Sequence, residues 1–179
     1  MFLSSLVIIA ACADQGVEPQ TRLIAADSAD QFLQGMTTVI TGDGIRRSVV
    51  SADTAYIYQS RQVAELRGVT VQFYDIQGTM TSILTSDHGH YEINRGTLEA
   101  RGNVVVTMAD GSGRRLTTEH LLYEPAMNQV RSDSAFVYDA PTGVLRGSSF
   151  TSDPDFRNIV TNRPRGRQRG EGVPLPGSP

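Results

Sequence analysis

Ser86-Asp87-His88-Gly89-His90-Tyr91, followed by Leu98-Glu99-Ala100-Arg101-Gly102-Asn103-Val104-Val105-Val106, decides how this chain folds, because the pattern recurs on both sides of it. A shift of 34 residues toward the amino terminus carries Gly78 onto Gly44, Asp87 onto Asp53, Tyr91 onto Ile57, Glu99 onto Glu65 and Gly102 onto Gly68. A shift of 32 the other way carries Asp87, Tyr91 and Leu98 onto Glu119, Tyr123 and Val130. Each unit sets a small residue before an acid and ends on a large apolar one, as in Ala52-Asp53-Thr54-Ala55-Tyr56-Ile57 and Thr118-Glu119-His120-Leu121-Leu122-Tyr123. An apolar residue follows (Ala64, Leu98, Val130), then Gly or Ser (Gly68, Gly102, Ser134). Repetition at this period implies a supersecondary unit that buries its apolar face by stacking on its neighbours.

The unit is a hairpin. Segments rich in Val, Ile, Thr, Tyr and Phe alternate with Gly, Asp and Asn clusters, the pattern of strands and turns. Strands are expected over 37–41, 46–58, 63–75, 79–93, 97–109, 114–123, 129–139 and 144–152. Connectors such as Asn94-Arg95-Gly96 and Ala140-Pro141-Thr142-Gly143 suit tight turns between antiparallel neighbours and are too short for parallel crossovers. From Leu98 to Val106 the even positions are apolar or small, a half-buried pattern. Ser86, Gly89 and Tyr91 cannot share one face at period two, so a bulge or corner is expected near each acid, where a long strand bends from one sheet toward another. The expected fold is all-β: stacked antiparallel hairpins in an open, V-shaped or jelly-roll-like pair of sheets over residues 35–153.

Outside that domain the text changes. Residues 1–11 form an apolar run of a secretory core's length, too short to span a bilayer as a stable helix. The run ends in Ile9-Ala10-Ala11-Cys12, which resembles a bacterial lipobox, and Cys12 is the only cysteine, so no disulfide competes for it. No Arg or Lys precedes the run, which leaves room for a start further upstream. Residues 12–34 are expected to be a lipidated tether, with a short helical turn near 28–33. Residues 154–179, with Arg163-Pro164-Arg165-Gly166-Arg167 running into a Pro-rich end, are expected to be a disordered tail. Its arginines could touch anionic lipid headgroups or remain solvated.

The charge balance excludes one function class. All 16 basic residues are arginine, and residues 1–162 carry 12 of them against 18 Asp and Glu. A net-acidic domain repels phosphate backbones, so no nucleic-acid partner is expected.

The alternation of an Ala-Asp-x-Ala-x-Tyr strand with a Leu-x-x-x-Gly-Asn-Val-x-Val strand resembles the OstA-like domain of the lipopolysaccharide export family. One such domain behind a short anchor is similar to the periplasmic LptC type, with the soluble LptA type second. The third copy departs from the pattern, with Ser134-Ala135 where Gly-Asn would stand. A lipidated cysteine in place of a transmembrane helix leaves open which membrane holds it, the inner being favoured.

The resemblance implies a periplasmic protein that passes lipopolysaccharide to a similar β-domain. Its partners would be the membrane subunits of the export ABC transporter and a periplasmic OstA-like bridge protein, with the membrane held through lipidated Cys12. An apolar groove for acyl chains would be lined by Ile57, Leu66, Val71, Phe73, Ile83, Tyr91, Leu98, Val104, Val106, Tyr123 and Phe136; ordinary core packing is the alternative for each.

Two rivals stand beside transport. A structural adaptor would join partners by its exposed edge strands and carry no lipid. His88 and His90 share a strand face and His120 is the repeat equivalent of His88, so a metal site with Asp87 or Glu119 is conceivable, though no spacing here is diagnostic. No cofactor is expected. Neither a phosphate-binding Gly-rich loop with its Lys nor a Gly-x-Ser-x-Gly elbow occurs, so the chain is not expected to be an enzyme.

Overall fold

The computed structural model describes residues 29–168; the apolar run, Cys12, the tether up to residue 28 and the tail from 169 lie outside the described residues. Twelve strands follow one another: β1 (Gln31–Gly42), β2 (Ile45–Tyr58), β3 (Val63–Tyr74), β4 (Met80–Glu92), β5 (Thr97–Met108), β6 (Arg115–Glu124), β7 (Gln129–Ser132), β8 (Phe136–Ala140), β9 (Gly143–Gly147), β10 (Ser149–Ser152), β11 (Val160–Asn162) and β12 (Arg165–Gln168). All pair antiparallel in one sheet. β1 to β6 lie in sequence order; β6 then pairs with β7 along its second half and with β8 along its first, and the sheet divides into β7-β10-β11 and β8-β9-β12.

The division exposes the logic of the whole. Each long strand crosses two leaves, bending near its middle, so the two facing sheets expected from the repeat are two leaves of one jelly-roll-like sheet. The bends sit at the acids. Buried residues in β4 run Ser82, Leu84, Ser86 and then Gly89, Tyr91, with Asp87 and His88 both exposed between them; β2 slips at Asp53 and β6 at Glu119 in the same way. Pairing registers shift at the same places, between Thr85 and His88 and between Arg101 and Val104.

The corner explains the residue types that recur there. A strand that slips phase leaves a carbonyl out of the ladder, and the small residue before the acid answers it: Ser86 Oγ donates to His88 O at 2.9 Å and Thr118 Oγ1 to His120 O at 3.3 Å. Gly68 and Gly102 hold φ of +61° and +73°, a region that costs other residues roughly 1–2 kcal/mol. The acid of the neighbouring strand covers each: a Cβ on Gly68 would run into the Asp53 side chain, and one on Gly102 would come within 3.1 Å of Asp87 Oδ2. Asn103, also at positive φ, donates Nδ2–H to that carboxylate at 2.7 Å.

Between the leaves lies one apolar core. Phe73 of the first leaf meets Tyr123 of the second edge-on, centroids 4.9 Å apart, and Phe136 meets Phe150 at 4.9 Å.

Both expected domain limits move outward. Residues 31–34, expected in the tether with a helical turn, are strand: Gln31 to Gln34 pair with Ile57 to Thr54, and Phe32 packs on Tyr56. Residues 154–168, expected to be disordered, carry β11 and β12. The loop before them is pinned by Asp153, whose carboxylate accepts from Arg157 N, and by Pro154 O, which accepts from the buried Ser82 Oγ at 2.8 Å. It drives Phe156 into the core at 1% exposure.

Two stability measurements check this account. Gly68→Ala lowers the unfolding free energy in urea by about 2 kcal/mol, the strain of the left-handed region plus displacement of Asp53, and adding Asp53→Ala restores part of it. Phe156→Ala costs about 3–5 kcal/mol, the range for a large buried aromatic, whereas a flexible tail would give no change.

Candidate functional site

The residues expected to line a groove all lie on the six long strands or β8, which carry them past both leaves. Leu66, Val71, Phe73, Tyr91, Leu98, Val104, Val106, Tyr123 and Phe136 are buried in the common core, and Ile57 packs half-buried against it. Ile83 does not join them. The phase slip at the corner turns it to the outer face and puts its neighbours Ser82 and Leu84 inside, both fully buried.

Beside β1 a cavity of about 310 Å³ is lined by the core residues Ile40 and Tyr91 together with Val39, Ile93 and Pro125, and the interior also reaches solvent at the carboxy-terminal end. Around β8, β9 and β12 a cavity of about 430 Å³ is lined by Tyr138, Ala140, Thr142, Gly143, Val144, Leu145 and Gly166. Tyr138 and Leu145 are only partly buried, yet both pack against the core, so this cavity continues the apolar interior outward. None of these residues was singled out in the sequence, since β8 and β9 are five residues long and alternate weakly. Inside the second leaf Ser152 Oγ is buried with no hydrogen-bond partner, at a cost of about 1–3 kcal/mol.

Among the described residues the strand edges at both ends of the sheet carry no further partner: β1 pairs only with β2, β11 only with β10, and β12 only with β9, so each offers backbone N–H and C=O groups to a further strand. β1 also exposes Phe32, Leu33 and Val39.

The histidines engage carboxylates on the outer face. His90 Nδ1 lies 2.7 Å from Glu65 Oε1; His120 lies between Glu99, at 2.6 Å, and Asp133, at 3.1 Å. His88 stays exposed and apart from them. Among the described residues no group of three His, Cys, Asp or Glu side chains could hold a metal ion. Burial pushes the Glu99 carboxyl up, but hydrogen bonds from Arg101 and His120 outweigh it and hold it below its ordinary value; the His120 hydrogen bond lowers Asp133 too.

An antiparallel sheet folded on itself at mid-strand, apolar within and, among the described residues, unpaired at both ends, defines a jelly-roll-like β-module. The chain belongs to the LptC-related lipopolysaccharide-assembly family, which it matches over residues 1–159. The fold is similar to that of LptH from Pseudomonas aeruginosa, the LptA-homologous periplasmic component of the lipopolysaccharide transport device: TM-score 0.52, 17% identity, covering 69% of this chain and 94% of that one. No curated protein matches the sequence closely. Membership makes lipopolysaccharide assembly the process this chain serves. No helix among the described residues is long and apolar enough to cross a membrane.

The acid cluster has a pH signature. A carboxylate held below its unfolded value stabilises the fold above that value and loses the contribution as pH falls through the lower folded one. The urea midpoint should therefore drop on acidification below about 4.5, the unperturbed Glu value. Glu99→Gln should lower the midpoint at neutral pH and flatten this acid limb, so that the two proteins converge as the carboxyl becomes protonated in the folded state.

Proposed function

We propose that this protein is a periplasmic component of lipopolysaccharide transport that takes acyl chains into its apolar interior through the carboxy-terminal end and passes them to a similar β-domain. The observation that carries the proposal is the cavity of about 430 Å³ at Tyr138 and Leu145, which pack on the core, with Gly166 of the edge strand β12 in its wall. Its size falls within the range of ligand pockets, roughly 300–1,000 Å³. Acyl chains entering there gain about 25 cal/mol for each Å² removed from water, while the sugars stay in solvent. A partner strand added at β12 extends the wall of the same cavity, so docking and hand-over use one end of the molecule.

Cys12 would take the lipid that tethers the domain to a membrane, the inner one by analogy with the LptC type. The two-or-more acyl chains of a lipoprotein satisfy what stable anchoring requires. β1 at the other end would then face the membrane subunits of the export ABC transporter, and β11 and β12 the periplasmic OstA-like bridge protein. The free edges also favour a second reading, an adaptor that joins these partners without carrying lipid.

Photo-crosslinking separates the two. A crosslinking residue at Leu145 or Tyr138 of the purified protein should form adducts with lipopolysaccharide, and one at Ile83, on the outer face, should not. Adducts equal at all three positions, or absent from the first two while partner proteins still crosslink at the edges, leave the adaptor.

A further inference from the structure

The arginines of this chain are used unevenly. Arg47, Arg95, Arg101, Arg114, Arg131 and Arg157 each pair with a carboxylate, and Arg46 and Arg61 lie over tyrosine rings. Arg67, Arg115, Arg146, Arg163 and Arg165 have neither kind of partner among the described residues, in a chain of net charge −3. All but Arg67 line one surface. A cleft of about 510 Å³ holds Arg115 and Arg146, and an adjoining one of about 270 Å³, sharing Ala135, Arg146 and Gly147, holds Arg163 and Arg165.

The cleft is a product of the fold's division. It opens on the outside of the first leaf near the division, where Val105 and Val137, the outward-facing neighbours of the buried Val104 and Phe136, form its floor. Among the described residues Glu119 is the only carboxylate in its lining, and Thr117 brings a hydroxyl.

Four guanidinium groups around a concavity call for an anion with several oxygens, and phosphate matches their forked geometry. Glu119 sets a condition, since a carboxylate beside a bare anion is repulsive but accepts hydrogen bonds from sugar hydroxyls. A bilayer surface does not enter a concavity of this size; a single headgroup does. We propose that this cleft binds a phosphorylated sugar, its phosphate held by Arg146 with Arg115, Arg163 and Arg165, and its hydroxyls by Glu119 and Thr117. The site lies on the outer face, separate from the apolar interior, and does not depend on lipid entering there.

Calorimetry on the full chain tests it with glucose 1-phosphate, glucose and inorganic phosphate as probes. Glucose 1-phosphate should bind, glucose should not, and inorganic phosphate should bind at least about tenfold more weakly. The double variant R146Q/R165Q should lose at least about tenfold in affinity, whereas Arg67→Gln, an exposed arginine outside the cleft, should change nothing; unaltered circular dichroism and urea midpoints establish that each variant is folded. An alkyl glucosyl phosphate in detergent micelles identifies the source: tighter binding than the free sugar phosphate assigns a glycolipid headgroup, and equal binding a soluble phosphosugar. Leu145→Glu, which charges the interior cavity, should abolish acyl-chain crosslinking and leave the glucose 1-phosphate heat intact, so the two proposals fail separately. Absence of heat, equal affinity for inorganic phosphate, or retained affinity in R146Q/R165Q overturns the assignment.

Discussion

A strand of twelve to fourteen residues that serves both leaves of a folded sheet must present its apolar side inward along its whole length, although it turns a corner halfway. Side chains alternate strictly, so turning the corner with the same face inward requires one slip of phase per strand. Every recurrent residue follows from that slip. The acids Asp53, Asp87 and Glu119 stand where two successive residues face out. Ser86 and Thr118 stand where a freed carbonyl needs a donor, and Gly68 and Gly102 where the partner strand passes under the acid with positive φ. The repeat is thus a recipe for a corner, and stacked corners create an interior between leaves.

The same slip sets the limit of what could be read in advance. Counting back from Tyr91 by twos leads to Ile83, but the slip between Ser86 and Gly89 transfers the inward face to Leu84 and Ser82. Val71 and Phe73 lie inside, in phase with Val69 in the half of β3 beyond Gly68. The bends themselves were legible, since a hydroxyl residue, a glycine and a tyrosine at incompatible spacing leave no other arrangement. Where the third copy replaces Gly-Asn by Ser134-Ala135, the expected strand over 129–139 separates into β7 and β8. A bulge has become a break, and the sheet divides there.

The ends were harder for a different reason. β11 and β12 are three and four residues long, and short strands leave no alternation to find. Their backbones are ordered by partners already in place, β10 and β9, a tertiary effect that composition cannot announce. Phe156 and Ile159, set among Pro, Asp, Arg and Asn, were the available signals, and both reach the core. Residues 31–34 are strand because β2 offers them an edge, while Phe32 and Leu33 remain exposed. The carboxy-terminal cavity was invisible for the same reason: its walls belong to strands too short to declare their inner face.

Interior and edges together constrain where a lipid can enter. At the Phe73–Tyr123 contact the leaves interlock, and separating them there exposes side chains that are now within 1% of full burial. A ligand gains nothing from apolar surface that must first be uncovered at equal area, because both transfers carry the same coefficient. At Tyr138 and Leu145 the apolar surface is already partly in water, so covering it is a net gain without breaking the core. Under the proposed transport role, loading at the carboxy-terminal end therefore needs no opening of the core, and β12, whose Gly166 lines that cavity, pairs only with β9 among the described residues. A partner strand docked on that edge would cover more of the same surface, so lipid binding and partner binding should strengthen one another.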